Sequence, residues 1–226
     1  MKRFKTTTLL LLSLAWLPEG LQAQENQKPN PRDTTIVNFH PNGIPSELIS
    51  YDQDGLEDGV HFNYRQTGSI AKMENFSHGK LHGPFMRVNN RGKISEEGKY
   101  ENGLEQGLFT KYYSDGKKQE QATYKDGKKN GKAIWYYTNE NMSTMLNYEE
   151  DILQGEAKSF YKSGEVKSVY IYEDNKKEGL YREYYQDGKL KVEGNYKDDK
   201  EDGKWTYYAE DGSVLKTEKY RKGELR

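Results

Sequence analysis

Apolar and polar positions along this chain recur in blocks rather than as a helical stripe. The block is plainest from Gly107 to Gly131: Gly-Leu-Phe-Thr-Lys-Tyr-Tyr-Ser-Asp-Gly-Lys-Lys-Gln-Glu-Gln-Ala-Thr-Tyr-Lys-Asp-Gly-Lys-Lys-Asn-Gly. An opening glycine stands at Gly59, Gly83, Gly107, Gly131, Gly155, Gly179 and Gly203, always 24 residues apart. A turn position follows nine residues later, at Gly68, Gly92, Gly116, Glu140, Gly164, Gly188 and Gly212, with Gly43 before them. The step from Gly43 to Gly68 is 25 because one residue is added in Asp52-Gln53-Asp54. Eight positions past each turn the residue is always aromatic: Tyr51, Phe76, Tyr100, Tyr124, Tyr148, Tyr172, Tyr196 and Tyr220. A fixed period of this kind marks a repeat architecture.

Each block predicts two short strands and two turns. Ser114-Asp115-Gly116 and Gln186-Asp187-Gly188 are turn sequences in which glycine takes positive φ without a Cβ clash. Past the turn, apolar residues stand two positions on (Ile70, Ile94, Met142, Val166, Leu190, Val214), small ones often six on (Gly98, Ala122, Gly194), and the aromatic eight on. Equal parity is expected to place offsets two, six and eight on one strand face. A helix is excluded because the 3.6-residue stripe is absent and each interior glycine would cost about 1 kcal/mol against alanine.

The block accounts for most of the chain. Thr35 to Phe39 reads as an opening half-unit before Gly43, and Ser213 to Tyr220 as a closing one. Residues 1–23 read instead as a secretory signal peptide. Lys2, Arg3 and Lys5 make a basic start, Leu9 to Leu17 a short apolar run, and Leu21-Gln22-Ala23 a cleavage site. Residues 24–33 are polar with two prolines and read as a linker, leaving 34–226 as the array. Export to the periplasm or the extracellular space is therefore expected. Asn175 and Asp199 replace glycine at the second turn and should preserve it, whereas Glu140 should distort the first turn of its unit.

Composition agrees with a thin structure. Hydrophobic residues make up 33% and mean hydropathy is −1.13, too little for a thick two-layer globule. The fold expected is all-β: an elongated, twisted single antiparallel sheet of tandem 24-residue hairpins. The chain carries 35 basic and 36 acidic residues, interspersed, which argues against a nucleic-acid footprint and against anionic lipid. No cysteine is present, so neither disulfides nor thiolate metal sites arise.

The columns resemble the MORN-repeat family, and most closely its bacterial variant form. Tyr100-Glu101-Asn102-Gly103-Leu104-Glu105-Gln106-Gly107-Leu108-Phe109 and the stretch Tyr196 to Trp205 carry that resemblance. It covers about residues 39–223 and implies a sheet of successive hairpins used for protein binding and scaffolding. Several bacterial variants are labelled YwqK-like antitoxins, so an inhibitor of a toxic partner is a second reading it implies. The repeat has no catalytic residues to carry over.

No catalytic constellation or cofactor motif is apparent: neither a Gly-x-Ser-x-Gly elbow nor a phosphate-loop Lys-Ser/Thr occurs. His40, His61, His78 and His82 lack metal-ligand spacing, and His78 and His82 read as solvated turn residues. One further column stands out. Tyr113, Tyr137, Tyr161 and Tyr185 each follow the aromatic that lies five past the opening glycine, so alternation should set them on the opposite sheet face as a partner-binding ladder. The partner expected is an unidentified protein or cell-surface component, met by a non-enzymatic scaffold without cofactor or metal.

Overall fold

The computed structural model describes residues 34–226 and the backbone of Phe4–Lys5, which pairs with the first strand of the array at Val37 and Ile36. The leader expected at 1–23 and the linker at 24–33 otherwise lie outside the described residues. Every strand joins one antiparallel sheet, and no helix occurs among the described residues.

One unit shows the plan. Strand Gly107–Tyr112 turns through Tyr113 to Lys117 into strand Lys118–Lys125, and a tight second turn at Asp126-Gly127 leads to strand Lys128–Tyr136. Every opening glycine faces an aromatic across its hairpin: Gly59 opposite Phe76, Gly83 opposite Tyr100, Gly107 opposite Tyr124, Gly131 opposite Tyr148. Gly155 opposite Tyr172, Gly179 opposite Tyr196 and Gly203 opposite Tyr220 continue the row. These glycines have φ of 78–113°, which an L side chain rarely adopts.

The expected single face for offsets two, six and eight needs a correction. Phe109 pairs with Ala122 and Lys111 with Glu120, but Tyr112 then pairs with Lys118, so the register shifts. The same shift separates Arg87 from Val88 and Glu183 from Tyr184. A β-bulge near the turn leaves one residue unpaired and moves everything before it to the other face. Offsets six and eight share a face, while offset two lies on the opposite one.

The core is a second column that periodicity alone did not single out, two past the opening glycine. Phe85, Phe109, Ala133, Ala157 and Trp205 there are all buried, with exposures of 0–6%. Their cross-strand partners complement them in size. Phe85 faces Gly98, Phe109 faces Ala122 and Tyr181 faces Gly194, whereas Ala133 faces Leu146 and Ala157 faces Tyr170. Large residues thereby alternate between strands without collision, as dense packing demands. The rings of Phe85, Tyr100, Phe109 and Tyr124 meet edge to face at 5.2–5.6 Å, an arrangement worth about 0.5–1.5 kcal/mol per pair beyond area burial. Where the column narrows to alanine, Lys129 lies 5.3 Å from both the Trp135 and Tyr148 ring centres and covers them.

Gly194 tests this size complementarity, because a Cβ built there would lie 2.2 Å from the Trp205 ring. Gly194→Ala is expected to lower unfolding free energy by about 1–3 kcal/mol in urea denaturation. Unchanged stability would show that Trp205 is free to move aside.

Candidate functional site

The four ladder tyrosines lie beyond the strand ends rather than on a sheet face. The Tyr113 amide donates to Lys117 O at 2.8 Å and its carbonyl accepts from Gly116 at 2.9 Å, so Tyr113 begins the first turn. Strand alternation therefore does not extend to it, which corrects the opposite-face expectation. Its hydroxyl donates to Tyr136 O at 2.6 Å, in the next unit. Tyr137 reaches Phe160 O at 2.9 Å, Tyr161 reaches Tyr184 O at 2.8 Å and Tyr185 reaches Tyr208 O at 2.7 Å. His40 and Arg65, in the same column, reach Tyr64 O and Val88 O. The column fastens each first turn to the following unit. At Glu140 the turn is not distorted as expected. Tyr137 N–H still donates to Asn141 O and Glu140 N–H to Tyr137 O, while Glu140 itself takes φ 71°. Two hydrogen bonds hold a conformation that side chains otherwise avoid.

The face carrying Tyr112 is the less regular one. Burial, followed by a hydrogen bond to Glu97, pushes the Tyr112 hydroxyl up to about 12. Farther along the same face, a groove of about 500 Å³ lies over the hairpins of Gly155–Glu173 and Gly179–Lys197. Its floor is Val166, Val169, Ile171, Leu180 and Tyr184. Two apolar side chains from adjacent units help line it. Seven past the turn, Asn75 donates to Pro84 O and Asn147 to Glu156 O, linking adjacent units; Ile171 takes that place and has no donor. One past the opening glycine, Leu180 stands between Glu156 and Lys204 of the adjoining units and remains 39% exposed; Val60, Pro84 and Leu108 are apolar at the same position in earlier units. The rim charges are already paired: Lys158 to Glu156 at 2.7 Å and Arg182 to Glu193 at 2.7 Å. The groove therefore offers apolar surface with little uncompensated charge.

The histidines prove unlike one another. His61 is buried in the core column, its ring tilted against that of Phe76 with centres 4.4 Å apart and its Nε2 3.1 Å from Ser50 O. His78 lies in an exposed turn, as expected, but beside Asp58 and Asp52 of the preceding unit's longer loop. Sequence spacing concealed that grouping because its members come from two units.

A family model described as MORN repeat variant matches residues 105–126, 153–174 and 177–198. The matches fall on three hairpins of the sheet, the last two adjacent and the first separated from them by the hairpin of Lys128–Tyr136 and Met142–Glu149, and the chain has the build of a repeat scaffold. Among solved structures, the chain is similar to a Tc holotoxin pore of Photorhabdus luminescens at 11% identity and a TM-score of 0.20. That likeness covers 84% of this chain and 13% of the other, and carries no argument at that score. The search of curated proteins finds no match.

Tyr137→Phe keeps the ring and removes only the hydroxyl. It is expected to cost about 1 kcal/mol of stability in denaturant unfolding. A neutral result would contradict the fastening role.

Proposed function

We propose that this chain is an exported, non-catalytic repeat scaffold that binds another protein through the groove over Val166, Val169, Ile171, Leu180 and Tyr184. The observation that carries this reading is the gathering of Val166, Val169, Ile171, Leu180 and Tyr184 from two adjacent hairpins into one apolar floor between paired charges. Ile171 stands where Asn75 and Asn147 bond to the next unit, and Leu180 leaves apolar surface in water. An apolar floor between self-paired charges suits insertion of an aliphatic or aromatic side chain from a protein partner. The near-neutral charge and interspersed signs favour a protein over a polyanion. The basic start, apolar run and Ala23 cleavage site support export.

Leu180→Lys reproduces the residue found at Lys132 and Lys204, so it is compatible with the fold. Capture from envelope and secreted fractions of the source cells should retain a stoichiometric protein on the wild-type chain and lose it on Leu180→Lys, with circular dichroism unchanged. Equal capture by both chains would contradict the groove. The captured protein's own toxicity would decide whether the scaffold is an antidote. For export, N-terminal sequencing of the protein recovered from those cells should begin at Gln24; a start at Met1 would contradict cleavage.

A further inference from the structure

The loop from Asp52 to Asp58 is the one place where the 24-residue period fails. Elsewhere the second turn closes tightly, as where Ser77 pairs with Lys80. Here Tyr51 bridges to Glu57 across Asp52-Gln53-Asp54-Gly55-Leu56. Asp52 Oδ1 accepts the amides of Asp54 and Leu56, each at 2.9 Å. Asp52 Oδ2 is shut off from solvent, and no donor among the described residues reaches it. Asp58 Oδ2 accepts the His78 amide at 3.0 Å and lies 3.7 Å from His78 Nδ1. One donor atom from each of Asp52, Asp58 and His78 lies within 4.8 Å of the other two.

The tie from Asp58 to the next unit is an ordinary feature of the array. Glu178 accepts the Asp198 amide in the same way, and Asp202 the Lys222 amide. Among the described residues, neither of those positions gathers a second carboxylate into such a group. Here Asp52, at the position of Ser77 in the next unit, supplies one, and within the longer loop its Oδ2 is buried. A carboxylate oxygen withdrawn from water without a donor is unfavourable, more so beside another carboxylate, and a cation held between them relieves both.

We propose that Asp52, Asp58 and His78 form a binding site for a divalent cation of the Mn²⁺–Zn²⁺ class. Two carboxylate oxygens and one imidazole nitrogen suit such ions better than Ca²⁺, which takes oxygen ligands. Bond lengths near 2 Å put ligand atoms roughly 3–4 Å apart, so the exposed His78 ring closes by about an ångström on binding. The ion clamps the loop of the first full hairpin to the second turn of the next, far along the chain from the proposed groove.

Calorimetric titration of the full chain with ZnCl₂ and MnCl₂, with CaCl₂ as comparison, tests this. The expected result is one equivalent bound per chain, weakened about tenfold or more in each of Asp52→Asn, Asp58→Asn and His78→Ala. Asp202→Asn, at the equivalent position of the last unit, should bind as wild type. Asp52→Asn keeps an acceptor for the loop amides, and its metal-free circular dichroism and Tm verify its fold. The proposal is overturned by absence of saturable binding, by stoichiometric binding that the three variants retain, or by preferred binding of Ca²⁺ with His78→Ala without effect.

Discussion

The amide of each second turn donates to a carbonyl of the preceding unit, and the array depends on that link. Gly79 donates to Glu57, Gly103 to Leu81, Gly127 to Glu105, Asp151 to Lys129, Asn175 to Leu153, Asp199 to Lys177 and Gly223 to Glu201, at 2.7–3.1 Å. The amide just before it commonly finds a side chain of the same neighbour, such as Gln106, Gln154 or Glu178. Hairpin turns usually leave such groups to water; here they are bonds between units. Because the donating residue must adopt positive φ to aim its amide, the second turn accepts glycine, asparagine or aspartate. The first turns are fastened by side chains instead, above all by the tyrosine hydroxyls. Both margins of the sheet are therefore stitched along its length, and each unit depends mainly on its neighbours, as in other repeat arrays.

Packing follows the same economy. A chain with 33% hydrophobic residues cannot bury two thick layers, yet its core column is as closed as a globular interior. It achieves this by letting a large residue of one unit fill the space over the preceding unit's glycine, as Phe109 does at Gly98 and Trp205 at Gly194. The exchange of roles between Phe109–Ala122 and Ala157–Tyr170 keeps the filled volume similar while the identities change. Lys177, which lies 5.3 Å from the Tyr170 ring centre and 5.1 Å from that of Tyr196, extends the cover where aliphatic residues are lacking.

Much of this was legible before any coordinates. The opening glycines and the aromatic column are opposed pairs, and both half-units pair as the spacing implies. What parity could not show was the bulge, because one unpaired residue inverts every face before it without altering the period. The core column escaped notice since its members, from alanine to tryptophan, share burial rather than residue type. The tyrosine ladder misled for a related reason: Tyr113 follows the last strand residue, so its environment is set by the turn. Glu140 kept its turn because hydrogen bonds outweigh the cost of its backbone. The members of the groove and of the Asp52–Asp58–His78 group lie in different hairpins. Only the register between units brings them together.

Amide hydrogen exchange followed by NMR tests the central claim directly. The amides of Gly79, Gly103, Gly127, Asp151, Asn175, Asp199 and Gly223 lie in short exposed turns, where independent hairpins would exchange them at near-unfolded rates. The account predicts protection comparable to that of the adjoining strands, because each donates to the preceding unit. Fast exchange at these seven amides, with the strands still protected, would contradict it.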